Sequence, residues 1–172
     1  MSSTMMPSKN PALAKLSCVL VMDPNPNGAR FLVEIFKGLG VRSVIPLTRT
    51  SDSLEPIQRY HPDLIVTEIK GEDFDGFATV RALRRSALPL RAVPVVVVSA
   101  EATVETIRGA RDSGAHEFLR KPFSLRDMEK RLEVVLTKPR AWVATSVYTG
   151  PDRRRFNSKD YVGPKKRRVD AA

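Results

Sequence analysis

A doubly wound α/β fold, with a five-stranded parallel sheet and an extended arginine-rich C-terminal tail, is what three observations predict. Short apolar runs recur about every 25 residues, each is followed by a segment of helical period, and most runs are apolar throughout rather than alternating. Strands covered on both faces look like this, whereas a sheet with one wet face alternates. Successive βα units need crossovers, and because these are right-handed the helices end up on both faces. With 172 residues, 42% of them hydrophobic and 28% charged, the chain has room for one compact domain and a tail. That composition excludes collagen-like, disulfide-rich and wholly disordered classes.

Residues 1–15 have no continuous hydrophobic stretch of signal-peptide length and read as a flexible leader. The first strand is expected at Ser17–Met22. A helix follows over Pro26–Leu39, where Phe31, Leu32, Ile35, Phe36 and Leu39 recur at helical spacing before the stop signal Gly40. The next pairs are Ser43–Leu47 with Ser51–Tyr60, Leu64–Thr67 with Gly76–Ser86, and Val93–Ser99 with Ala102–Ser113, the last closed by Gly114. Glu117–Leu119 and Leu125–Leu136 complete the set, with Ser124 as N-cap. The receiver-sized body is thus 16–137 and the extension 138–172. Cys18 is the single cysteine, lies in an apolar run and reads as a buried thiol, which fits a reducing cytoplasm. Apolar runs such as Val93 to Ala100 fall far short of the roughly 20 residues of a membrane helix.

In an open parallel sheet the ligand site lies beyond the carboxyl ends of the strands. That rule selects Asp23, Glu68, Ser99 and Lys121. Around them stand VLVMD, PDLIVTE with DFDGF, VPVVVVSA and GAHEFLRKPF, and over residues 16–137 the chain resembles the response-regulator receiver (CheY-like) family. The resemblance implies a magnesium-binding acidic pair after the first strand and a phosphoacceptor Asp after the third. It further implies a Ser/Thr after the fourth strand that senses the phosphoryl group, an aromatic switch position at Phe118, and a Lys at the fifth that contacts the phosphoryl group. Two positions depart from this pattern: Pro24 replaces the second acid, and Glu68 takes the acceptor place. Magnesium needs near-octahedral oxygen ligands, and a nucleophile displaced by about 1 Å can lose a hundredfold in rate. No metal and no phosphorylation are therefore expected. Glu68 reads as a salt-bridge partner of Lys121, as a longer carboxylate that imitates a phosphorylated Asp and holds Ser99 and Phe118 in the active arrangement, or as chance drift in a site that has lost its chemistry. His61 and His116 lack metal-ligand spacing and read as ordinary loop residues. No Ser-His-Asp set or Gly-rich phosphate loop stands out, so an enzyme is not expected.

The net charge of +10 is unevenly spread: residues 1–137 hold 19 Lys+Arg against 16 Asp+Glu, and residues 138–172 hold 10 against 3. The extension also carries the single Trp, Trp142, and sets Tyr148, Phe156 and Tyr161 among the clusters 153–155 and 165–168. Aromatics among arginines supply ring stacking together with phosphate neutralisation. An Arg fork fits the O6/N7 edge of guanine, and a carboxylate accepts from its ring N–H and amino group. Cyclic di-GMP satisfies that chemistry, and so does guanine-containing RNA. The segment AWVATSVYTGPDRRRFNSKDYVGPKKRR is similar to the arginine-rich extension of the Cle family, CheY-like cyclic di-GMP effectors that act at the flagellar motor. This resemblance implies a cyclic di-GMP site, for a stacked dimer of the nucleotide, at Trp142, Asp152, Arg153, Arg154, Arg155, Asn157, Tyr161, Arg167 and Arg168. It also implies a flagellar motor switch protein as partner, and a cytoplasmic location that includes the flagellated pole. The rival readings are a tail that binds nucleic acid or any polyanion, and a phosphorylation-dependent switch through Glu68.

Overall fold

The structure is a computed structural model that describes residues 10–48 and 54–154. Expectations placed on Arg155, Asn157, Tyr161, Arg167 and Arg168, and on the first residues of the Ser51–Tyr60 helix, lie outside the described residues. In chain order the elements are β1 (Cys18–Met22), α1 (Pro26–Gly38), β2 (Ser43–Leu47), α2 (Leu54–Tyr60) and β3 (Leu64–Thr67). Then come the short β4 (Lys70–Gly71) and β5 (Phe74–Asp75), α3 (Gly76–Arg85), β6 (Val95–Ser99), α4 (Val104–Ser113) and β7 (Glu117–Arg120). The chain continues through α5 (Leu125–Thr137), β8 (Trp142–Ala144) and β9 (Thr149–Pro151). Five parallel strands form the main sheet in the order β2-β1-β3-β6-β7, as the βα rhythm requires.

Strand residues alternate between two cores. Val19, Val21, Leu64, Val66, Val96 and Val98 meet Leu32, Phe36, Met128 and Leu132 of α1 and α5. On the opposite face Leu20, Met22, Ile65, Val95 and Val97 meet Ile57, Val80, Leu83 and Ala110 of α2, α3 and α4. Helix ends follow the capping chemistry in the sequence. Asn25 caps α1 through the N–H groups of Asn27 and Gly28, and Ser124 and Asp127 cap each other's main chain at α5. Gly114 closes α4 at φ 100°, where a side chain would be strained.

Several expectations change. Cys18, expected as a buried thiol, is half-buried, with its thiol 3.6 Å from Tyr60 O at the start of β1. Residues 1–9 of the expected leader lie outside the described residues, whereas its end holds a 3₁₀ turn at Leu13–Lys15 that buries Leu13, which with Leu16 joins the core on the α5 side. Two buried leucines outweigh the cost of ordering one turn. The extension likewise does not begin as an open tail at 138. β8 and β9 pair antiparallel, with Trp142 opposite Pro151 and Ala144 opposite Thr149, and the turn closes by Thr145 N–H donating to Tyr148 O at 2.8 Å. The β-branched and aromatic residues from Trp142 to Thr149 carry the strand propensity behind this hairpin.

The hairpin is seated on the body around Arg84, a fully buried guanidinium. Its Nε donates to Gly114 O at 2.9 Å and its Nη1 to the carbonyls of Arg91 and Val93 at 2.6 and 2.9 Å. Nη2 lies 3.3 Å from Nδ1 of His116, and the Trp142 ring covers the group at 5.8 Å, flanked by Arg91 at 5.9 Å. Burial lowers the Arg84 pKa to about 10, so it keeps its charge at neutral pH. Backbones also meet directly: a Cβ at Gly150 would stand 3.1 Å from Gly114 Cα. Tyr148, buried beside them, donates its hydroxyl to Pro151 O at 2.6 Å.

Arg84→Met removes the donors for three carbonyls at once, so a loss of about 3 kcal/mol is expected in urea denaturation, with a red-shifted Trp142 emission in the native baseline. An unchanged midpoint contradicts the role given to Arg84. His116, expected as an ordinary loop residue, is instead packed against Arg84 and Val95 and supplies a pH signature, because burial and then the charges of Arg84 and Arg140 lower its pKa to about 3. The unfolded chain binds a proton below the ordinary histidine value while the folded chain does not, so stability falls from there until pH drops through about 3. Between about pH 7.5 and pH 5.5 this group accounts for a loss of about 1.4 kcal/mol, and His116→Gln should flatten that part of the profile.

Candidate functional site

The first candidate site stands where the parallel strands end. Asp23 follows β1, Glu68 follows β3, Ser99 ends β6 and Lys121 follows β7, and the main chain ties these ends together. Glu68 N–H donates to Met22 O at 2.9 Å and Lys121 N–H to Ser99 O at 2.8 Å. All four predicted residues are therefore gathered. Gly76 makes the place after β3 possible, since any Cβ there would collide with Glu68 O, and the β4–β5 loop spans the residues between.

Lys121 Nζ donates to Asp23 Oδ2 and to Glu68 Oε2, each at 2.9 Å. Asp23 is buried at 1% exposure and Glu68 is half-buried, so the ammonium neutralises carboxylates with little water around them. Burial alone would depress the Lys121 pKa, but the bonds to Asp23 and Glu68 outweigh it and hold the value above the ordinary one. Glu68 Oε1 accepts from Ile69 N–H at 2.8 Å, while Ser99 Oγ accepts from Glu101 N–H at 3.3 Å. Glu68 is thus salt-bridged to Lys121, and no bond joins it to Ser99 among the described residues. Phe118 is half-buried and packs against the core on the α3–α4 side.

A divalent cation does not fit these residues. Pro24 supplies no ligand, the remaining carboxylates already share one ammonium, and no group of three metal-ligating side chains occurs among the described residues.

The second candidate site is the root of the extension. Arg153 stacks on Tyr148 at 4.6 Å and donates to Asp112 Oδ1 at 2.9 Å, tying the residue after the hairpin to α4. Asp112 also accepts from Arg111 Nε at 3.0 Å, and the two arginines outweigh its desolvation and hold its carboxyl below the ordinary value. Asp152 Oδ1 accepts from Arg154 N–H at 2.9 Å. Trp142, expected as a stacking platform, is half-buried with its ring against Arg84 and Arg91. Trp142 thus anchors the hairpin, while Asp152, Arg153 and Arg154 stay together at its exit. Sequence reasoning missed Arg84, whose place within the Gly76–Ser86 helix pattern carries no sign of burial. It also missed Glu117 of β7, a buried carboxylate that Arg131 and Arg140 hold at 3.2 and 3.1 Å.

The profile described as response regulator receiver domain matches residues 19–133. The KDP operon transcriptional regulatory protein KdpE of Escherichia coli (strain K12) is 34% identical over 126 residues, which are 73% of this chain and 54% of KdpE. The DNA-binding response regulator MtrA of Mycolicibacterium smegmatis is 26% identical over 121 residues, 70% of this chain and 50% of MtrA. The chain spans about half the length of these curated relatives. The chemotaxis protein CheY4 of Vibrio cholerae superposes with a TM-score of 0.64 at 22% identity, covering 70% of this chain and 99% of that one, and so shares the fold. No described helix is long and apolar enough to cross a membrane.

Labelling with radioactive acetyl phosphate and magnesium tests the first site. The wild type should take up no acyl-phosphate label, because a carboxylate carried about 1 Å too far out loses roughly a hundredfold in rate, even before the missing metal ligand is counted. The Pro24→Asp/Glu68→Asp double variant should label, and labelling of the wild type at Glu68 would contradict the account.

Proposed function

The chain belongs to the response regulator receiver domain family, and from that premise we propose that it works as a cyclic di-GMP-binding effector rather than as a phosphorelay switch. The observation that carries this reading is the seat of the arginine-rich extension. The docked hairpin and the Arg153–Asp112 pair hold Arg153 against α4 with Asp152 and Arg154 next to it in the chain, so a ligand gathered there bears on the body directly.

The chemistry of both sites supports it. Glu68 in the acceptor place and Pro24 in place of the second acid both weigh against the ordinary phosphoryl input of the fold. The extension offers a different input: arginine forks for guanine edges and phosphates, and a carboxylate at Asp152 for the guanine ring N–H. Two cyclic di-GMP molecules carry four negative charges against ten cations and three acids in residues 138–172. Neutralisation on that scale favours gathering Arg155, Asn157, Tyr161, Arg167 and Arg168 around the stacked ligand, while Trp142 keeps its place as the hairpin's anchor. By the same resemblance the liganded protein docks on a flagellar motor switch protein, without enzymatic activity and without a metal, at the flagellated pole of the cytoplasm.

A nucleic-acid reading draws on the name of one relative, a DNA-binding response regulator. The two separate in calorimetric titration of the full chain at physiological salt. Cyclic di-GMP should bind in the micromolar range or tighter, the Arg153→Ala/Arg155→Ala double variant should lose roughly tenfold or more, and excess RNA should not compete. Absence of micromolar binding overturns the proposal, and efficient competition by any polyanion, with a steep salt slope, favours nucleic acid.

A further inference from the structure

Between α4 and β7 lies a cleft of about 160 Å³ that the sequence did not announce. Arg108 and Arg111 of α4, Arg140 before the hairpin and Arg153 after it line the opening, and Ile107 and Phe118 supply apolar wall. Three parts of the chain far apart in sequence thus deliver guanidinium groups to one depression.

Charge bookkeeping around the cleft is uneven. Arg140 is paired with the buried Glu117, and Arg111 and Arg153 share Asp112. Four guanidiniums face two carboxylates, leaving a surplus equal in size to the charge of one cyclic dinucleotide. His116 also lines the cleft. Its Nδ1 accepts from Val95 N–H at 3.2 Å, which puts the ring proton of the neutral imidazole on Nε2. Nε2 makes no hydrogen bond among the described residues, so a donor is available there for a purine edge.

We infer that this cleft is a subsite on the receiver body for one guanine nucleotide unit, in which Arg108 and Arg111 bind alongside Arg153, and that Asp112 holds Arg153 until the ligand's anionic or O6/N7 edge replaces it. This rests on the cyclic di-GMP reading and extends it from the tail to the body. The volume decides how much of the ligand enters. Pockets for whole ligands hold roughly 300–1,000 Å³, so the cleft takes one base or one phosphate with its neighbourhood and leaves the remainder to the arginine-rich sequence after Arg154. Ile107 and Phe118 offer contact to the flat faces of a base, and the arginine forks fit its O6/N7 edge and the phosphate bidentately. A ligand seated there touches Phe118, and through it β7, without any chemistry at Glu68.

Calorimetric titration of the full chain with cyclic di-GMP tests the subsite. Arg108 and Arg111 are exposed on α4, so their removal should leave the fold intact. Arg108→Ala/Arg111→Ala should weaken binding by roughly tenfold or more. Arg30→Ala/Arg42→Ala, which removes the same charge from exposed positions outside the cleft, should change it by less than about twofold. Asp112→Asn should tighten binding, because Arg153 no longer has to leave a carboxylate. The inference is overturned if the wild type binds and the cleft variant behaves like the control, and the part given to Asp112 is overturned if Asp112→Asn binds more weakly. A wild type that fails to bind at all instead overturns the functional reading on which the subsite rests.

Discussion

A buried guanidinium must find acceptors or lose its charge, and the way Arg84 finds them shapes everything around the extension. It takes the carbonyls of Gly114, Arg91 and Val93 and the Nδ1 of His116, which come from the end of α4, the loop before β6, and the start of β7. Among the described residues it has no carboxylate partner, so its charge is spread over main-chain dipoles and the Trp142 ring. Once those groups are fixed, Gly114 presents bare backbone, and the hairpin can approach it through Gly150. The seat of the hairpin in turn decides where Arg153 emerges and which acid on α4 it meets.

The two candidate sites use cations in opposite ways. At the strand ends, one lysine closes a site by satisfying two carboxylates, and the longer Glu68 side chain reaches it without help from a metal. At the hairpin exit and along α4, arginines outnumber the acids that pair with them, so the surplus is available to an anion. Burial decides which outcome follows: a pair with little water around it keeps its partners, whereas exposed pairs exchange them at small cost.

Much of the architecture was legible in the sequence because short valine-rich runs and helical spacing record burial directly. The five strands and five helices appear where those runs put them, and Ser124 and Gly114 end their helices as their chemistry requires. Asp23, Glu68, Ser99 and Lys121 were legible too, since the strand-end rule needs only the strand positions. What was hidden has no periodic signature. Arg84 looks like any helix-surface arginine until four acceptors are seen around it, and Leu13 is a lone leucine in a polar leader. The hairpin was concealed because the charge and the Gly-Pro break of the extension outweighed the β-branched and aromatic content of residues 142–149.

The central claim is that this receiver domain takes its input at the arginine-rich root beside α4 and not at Glu68. Backbone amide NMR of the full chain, titrated in parallel with cyclic di-GMP and with acetyl phosphate plus magnesium, tests it most directly. The account predicts that the nucleotide shifts the amides of Ile107–Asp112, His116–Phe118 and Tyr148–Arg154, while acetyl phosphate leaves Glu68, Ser99 and Lys121 unmoved. Shifts at Glu68, Ser99 and Lys121 with acetyl phosphate, together with none from the nucleotide, would contradict it.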